Sequence, residues 1–117
     1  MAELFDPFQI RSLTLKNRVC VSPMSQYRAK AGVANDWHFS HLSRFALGGC
    51  AIVFTEATAI SSDGRRTHGD LGLWNDRQLE ALKPITQFIK AEGAIAGIQL
   101  FTLILKKLLI FILITNL

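Results

Sequence analysis

Three short apolar runs, each stopped by polar or small residues, alternate along this chain with two amphipathic segments. The runs are RVCVSPM (18–24), CAIVFTEA (50–57) and AIAGIQL (94–100). The last two are almost continuously apolar, as a strand buried on both faces of a parallel sheet must be. Pro23 stops the first, because it cannot donate to a central ladder. Between them, NDWHFSHLSRFALGG (35–49) reads as a helix. Asn35 or Asp36 can cap it, an apolar stripe falls on Trp37, His41, Phe45 and the Leu42–Ala46 pair, and Gly48-Gly49 ends it. A second helix follows in DRQLEALKPITQFIKAEG (76–93). Its apolar face is Leu79, Leu82, Ile85, Phe88 and Ile89. Pro84 is expected to bend or restart it, and Gly93 closes it. Ahead of all this, FQIRSLTLKN (8–17) alternates as a short hairpin around Arg11-Ser12. The order hairpin, β, α, β, α, β implies an α/β fold of parallel βαβ units with right-handed crossovers. A doubly wound open sheet would usually carry G-x-G-x-x-G after its first strand. Here that turn is Ser22-Pro23-Met24-Ser25, so a (β/α)₈ TIM barrel is favoured.

Such a barrel takes about 250 residues and eight strands. With 117 residues, this chain supplies three of those strands, an incomplete barrel. Lys106 and Lys107 carry two of the four net positive charges. No dense basic stripe with interleaved aromatics exists, which argues against nucleic-acid binding. MAELFDPFQIRS lacks the basic and apolar regions of a signal peptide, so a cytoplasmic location is expected. There Cys20 and Cys50, thirty residues apart in apolar runs, are expected to be buried free thiols.

In both architectures the chemistry sits at the C-terminal ends of the strands. These ends read SPMSQY, TEAT and Gln99. His38 and His41 have helical spacing for a metal but no convincing acidic or cysteine partner, so no metal is expected. Arg65, Arg66 and His68 lie in a loop that could meet a phosphate, although a solvated surface is the simpler reading. Glu56 could act as a base at its strand end.

LFDPFQIRSLTLKNRVCVSPMSQY, then GGCAIVFTEATAISSDGRRTHGDLGLWND, then GIQL resembles the N-terminal part of the old yellow enzyme family. These are FMN-dependent NAD(P)H oxidoreductases and ene-reductases on a (β/α)₈ barrel. The likeness runs over residues 4–100 and is closest to the shorter bacterial subclass. It implies that Ser22, Pro23, Met24 and Ser25 lie along the flavin, and that the backbone at Ala57 contacts it. Gln99 would pair with the pyrimidine edge, where a primary amide offers both donor and acceptor. Tyr27 would line the substrate pocket. It also implies a structural, hydrogen-bonding role for Glu56; Trp74 in DLGLWND is expected to pack between loop and helix. Close relatives often carry Cys at the position of Ser25. The complete parent, expected to be a homo-oligomer, would pass hydride from NAD(P)H through FMN to an activated alkene. Its substrate-gripping residues, and further flavin contacts, would lie on later strands, so no catalytic residue maps here. The alternative is a non-catalytic remnant of a truncated or frameshifted gene.

The tail FTLILKKLLIFILITNL (101–117) departs from that pattern. A membrane span needs about 20 apolar residues, and Lys106-Lys107 split this run, so no membrane association is expected. It lacks turn punctuation for a barrel continuation and a polar face for an amphipathic helix. Residues 1–100 therefore read as the barrel portion, and 101–117 as an aberrant hydrophobic tail outside the family fold and without function. Leu and Lys favour local helix in it.

Overall fold

The computed structural model describes residues 1–104 and 107–114. The expected hairpin is β1 (Phe8–Ile10) and β2 (Leu13–Leu15), antiparallel with Ile10 opposite Leu13. It is followed by β3 (Cys20–Val21), α1 (Asp36–Leu47), β4 (Ile52–Ala59), β5 (Leu71–Gly72), α2 (Asp76–Ala91), β6 (Ile95–Ile104) and β7 (Lys107–Ile114). In the second sheet β3, β4 and β6 are parallel neighbours in that order, and β7 continues beyond β6. The sheet does not close, as an incomplete barrel requires. The short β5, unforeseen in the loop, pairs parallel with the end of β4.

Both helices pack on one face of the sheet. Val21, Val53, Ala94 and Ala96 from the strands meet Leu42, Ala46, Leu82, Ile85 and Ile89 from the helices. On the opposite face Leu15 of the hairpin covers Ile52, Phe54 and Ile95. The helix stripes keep Leu42 and Ala46 in α1 and Leu82, Ile85 and Ile89 in α2, but their first turns differ from the sequence reading. In α1 the buried residues are His38, Leu42, Ser43 and Ala46, while Trp37 is 47% exposed. In α2 Gln78 is buried and Leu79 is exposed. The reason is polar satisfaction: Gln78 accepts from the Trp74 N–H and donates to the Ala31 carbonyl, so a buried amide outcompetes an apolar neighbour. Pro84 does not restart α2, which runs unbroken from Asp76 to Ala91. Its ring lies on the exposed side, and the packing of Leu82, Ile85 and Ile89 offsets the lost backbone bond. Asn35 is the N-cap of α1, and its oxygen accepts the Trp37 N–H. After α1 the chain turns at Gly49, whose φ of +92° suits glycine.

Two further expectations are corrected. The thiols are free, but Cys20 is exposed and Cys50 only half-buried. Val21 occupies the helix-facing core, so strand alternation puts Cys20 on the opposite face, beyond the cover of the hairpin. The tail is strand rather than helix: β7 runs antiparallel along most of β6, from Ile104 opposite Lys107 to Gly97 opposite Ile114. Ile and Phe favour extended backbone, and the free β6 edge supplies hydrogen-bond partners that outweigh helix propensity. Phe101 and Thr102 are buried, whereas Leu109, Ile110, Phe111 and Ile112 are all exposed. No helix of the described residues is long and apolar enough to cross a membrane.

Candidate functional site

Successive strand residues alternate between faces, and this would put Ala57 on the helix side with Val53. It does not happen, because the β4–β6 register shifts between Phe54 and Ala57. Phe54 pairs with Gly97, but Ala57 pairs with Gln99, so β4 carries one extra residue there. The bulge resets the alternation. Ala57 joins Ala59 and Phe101 in a cluster on the face away from the helices, with Trp74 against it. Gln99, two residues before Phe101 on β6, faces the same way. The Ser22–Ser25 segment leaves β3 alongside β4, and the Gln26 N–H donates to Glu56 Oε2 at 3.0 Å. The three strand ends named by the sequence thus lie side by side.

The same bulge turns Glu56 toward α1. Its carboxylate is buried, and Oε1 lies 3.2 Å from Nε2 of the equally buried His38. That contact falls short of hydrogen-bond alignment. His38 Nδ1 accepts the Asn35 N–H at 3.1 Å, leaving the ring proton on Nε2, toward Glu56. Glu56 therefore ties helix α1 to the loop after β3, the structural role that the resemblance implied. Trp37 Nε1 adds a bond to the Gln26 side chain at 3.1 Å. His38 is committed to this contact. His41 instead faces Arg44 at 3.1 Å, and burial and that cation push its pKa down. Among the described residues no cluster of three His, Cys, Asp or Glu could hold a metal.

The loop after β4 is more than a solvated surface. Asp70, fully buried, accepts from the backbone N–H groups of Arg66 and Thr67 at 2.8 and 3.0 Å. It also pairs with the Arg66 guanidinium at 3.1 Å. That guanidinium lies 4.7 Å from the Phe101 ring centre, and its Nη2 donates to Ser25 Oγ at 2.8 Å. Arg65 lies over Trp74 instead, and His68 is exposed. Trp74 packs against Gly72 of β5 and the Phe101 cluster, on the sheet face away from the helices, with Arg65 over its ring.

Tyr27 is exposed and sits at φ +56°, a strained conformation for a bulky residue. Gly69 holds it there. The Gly69 carbonyl accepts the Ala29 N–H at 3.0 Å, and a Cβ on Gly69 would lie 2.6 Å from the Tyr27 carbonyl oxygen. Gly69→Ala is therefore expected to displace Tyr27 and to cost about 1–3 kcal/mol, the range for overpacking. Urea denaturation and the Tyr27 amide resonance check this; an unmoved resonance would mean that the loop yields instead. Met24, 43% exposed, and Tyr27 flank Ser25 on the open side. The sequence reading missed the bulge and the Arg66–Asp70–Ser25 chain. Only the buried Asp in GDLG, next to a glycine, hinted at the second.

A family model described as NADH:flavin oxidoreductase / NADH oxidase matches residues 3–106. The NADPH dehydrogenase of Listeria welshimeri is 46% identical over 102 residues, which cover 86% of this chain and 30% of that protein. An NADH:flavin oxidoreductase of Gibberella zeae is 44% identical over 98 residues, covering 84% of this chain and 24% of that protein. Among solved structures, the old yellow enzyme homologue from Zymomonas mobilis superposes with a TM-score of 0.80 at 31% identity, over 87% of this chain and 28% of that one. Morphinone reductase superposes at 0.79 and 29% identity, over 86% and 26%. The chain spans about 30% of the length of the curated relatives from Listeria.

Proposed function

Because this chain belongs to the NADH:flavin oxidoreductase / NADH oxidase family, whose members use FMN with a nicotinamide reductant, we propose that its three strand ends form part of an FMN site. The observation that carries this reading is the bulge-set pairing of Ala57 with Gln99 beside the Ser22–Ser25 segment. The residues fit a flavin. Ala57 has no side chain beyond Cβ to obstruct a planar ring. Gln99, half-buried beside it, offers the complementary amide for a ring edge bearing N–H and C=O. Pro23 holds Ser22 before it to an extended backbone, so main-chain groups of the segment that continues through Met24 can face a planar ring. Ser25 adds a hydroxyl donor, and the exposed Tyr27 borders the place where a substrate would approach. When bound, FMN supplies the hydride-transferring ring; this chain's residues bind and orient it. For a protein of the relatives' full length, the reaction proposed is NAD(P)H-dependent reduction of an activated alkene, with the substrate-gripping residues on later strands.

The test is direct. The purified chain, titrated with FMN, should quench flavin fluorescence and retain yellow colour after gel filtration. A colourless protein that takes up no FMN would refute a flavin site in this chain. Where flavin binds, Ser25→Ala should lower its reduction potential. A donor to an electron-rich reduced ring is lost, worth about 1–1.5 kcal/mol, and redox titration reads it.

A second reading, a non-catalytic remnant, draws support from β7. It lies antiparallel where a barrel would place a parallel strand, and it leaves consecutive apolar side chains in solvent. It predicts aggregation and no FMN uptake. A soluble monomer that unfolds cooperatively would count against it.

A further inference from the structure

Ser25 and Arg66 are 41 residues apart in sequence, yet their side chains meet at 2.8 Å. Arginine has donors only, so Ser25 Oγ accepts in this bond, and its single proton is left for another partner. The donor is a cation, which polarises the hydroxyl and strengthens it as a donor in turn. Arg66 has little freedom to do otherwise. Its Nη2 also bonds Asp70 Oδ1 at 3.1 Å, its Nε lies 3.4 Å from Oδ2, and its own backbone N–H bonds the same carboxylate. Asp70 is itself fully buried, and the Phe101 ring backs the guanidinium plane.

We propose that Arg66 is a positioning residue which locks the Ser25 side chain with its O–H turned outward as a donor, and that Ser25 reaches the flavin ring in this orientation. The inference rests on the FMN reading for the identity of the acceptor, but the lock itself is a property of the protein alone. A lysine at position 66 keeps the charge opposite Asp70. Its Nζ ends one bond short of the Nη2 position and lacks the planar fork that Asp70 grips through Nε and Nη2, so it is not held between Asp70 and Ser25.

Wild-type, Arg66→Lys, Ser25→Ala and the double variant of the full chain are to be compared in two ways. The first is the Ser25 Hα–Hβ coupling constants by NMR without ligand. Wild-type should show one rotamer and Arg66→Lys an averaged value; one unchanged rotamer in Arg66→Lys overturns the proposal. Should Arg66→Lys lose the wild-type amide dispersion, Arg66→Gln, whose shorter amide does not span from Asp70 to Ser25, is measured in its place under the same criterion. The second is FMN titration. Arg66→Lys and Ser25→Ala should each weaken binding roughly five- to tenfold, the span of one net hydrogen bond. The double variant should be no weaker than either single one. Equal losses from Arg66→Lys with and without Ser25 would show that Arg66 acts on flavin binding independently of Ser25, and would overturn the proposal. If the wild-type chain takes up no FMN, the FMN reading fails, and the rotamer measurement still decides whether Arg66 locks Ser25.

Discussion

Glu56→Ala is expected to destabilise this chain by about 3–5 kcal/mol, the usual consequence of removing one partner from a buried polar or ionic pair. Two groups lose the carboxylate together. The His38 Nε2 proton and the Gln26 N–H both face the carboxylate at present, and His38 and Glu56 are at most 3% exposed, which keeps the His38 proton from water. Against a total stability of about 5–15 kcal/mol for an ordinary domain, the change is large. Glu56→Gln should cost clearly less, since its amide oxygen can still accept the Gln26 N–H. Urea denaturation gives both values, and the Ser25 and Gln26 amide resonances should shift in both variants. A loss below about 1 kcal/mol in Glu56→Ala would mean that water enters and replaces the carboxylate. The consequence for the site is specific: Glu56 is what anchors the loop after β3 to the sheet, so its removal should disturb Ser25 before it disturbs the helices.

Phe101→Ala should cost a comparable amount, about 3–5 kcal/mol, as buried Phe truncations do. Phe101 is 1% exposed, packs with Ala57 and Ala59, and supports the Arg66 guanidinium. Thr102 beside it is also buried, and the Leu103 N–H donates to the Gly64 carbonyl at 3.0 Å. The first residues of the hydrophobic tail thus serve the site, and a truncation meant to remove the tail belongs after Ile104. Removing residues 105–117 should raise solubility, because it takes away the exposed Leu109–Ile112 side chains, while FMN uptake stays as it was. Light scattering and the same titration distinguish the two changes. Should Phe101→Ala unfold no more easily than wild-type, the cluster around Ala57 would not be a real core.

Much of this was legible in local sequence, for reasons that are themselves local. The hairpin, both helices and the three parallel strands came from apolar periodicity, the caps at Asn35 and Gly48, and the stop at Pro23. All of these are decided by a residue and its near neighbours. The strand ends could likewise be singled out, since a polar residue directly after an apolar run is visible without a fold. Other features depend on partners far along the chain, which local patterns do not carry. Gln78 rather than Leu79 faces inward because of a carbonyl at Ala31. Ala57 faces Gln99's side of the sheet only because one extra residue is inserted against β6. Arg66, read as a solvated loop residue, reaches Ser25 because buried Asp70 aims it there. The tail becomes strand because β6 offers an open edge, although Leu and Lys would have accepted helix. Element order and the chemistry-bearing positions were thus determined by the sequence itself, through short-range sterics and hydrophobic spacing. Which faces those positions share, and which groups hold them, were decided only in the tertiary structure, where buried polar atoms at long sequence separation must find one another.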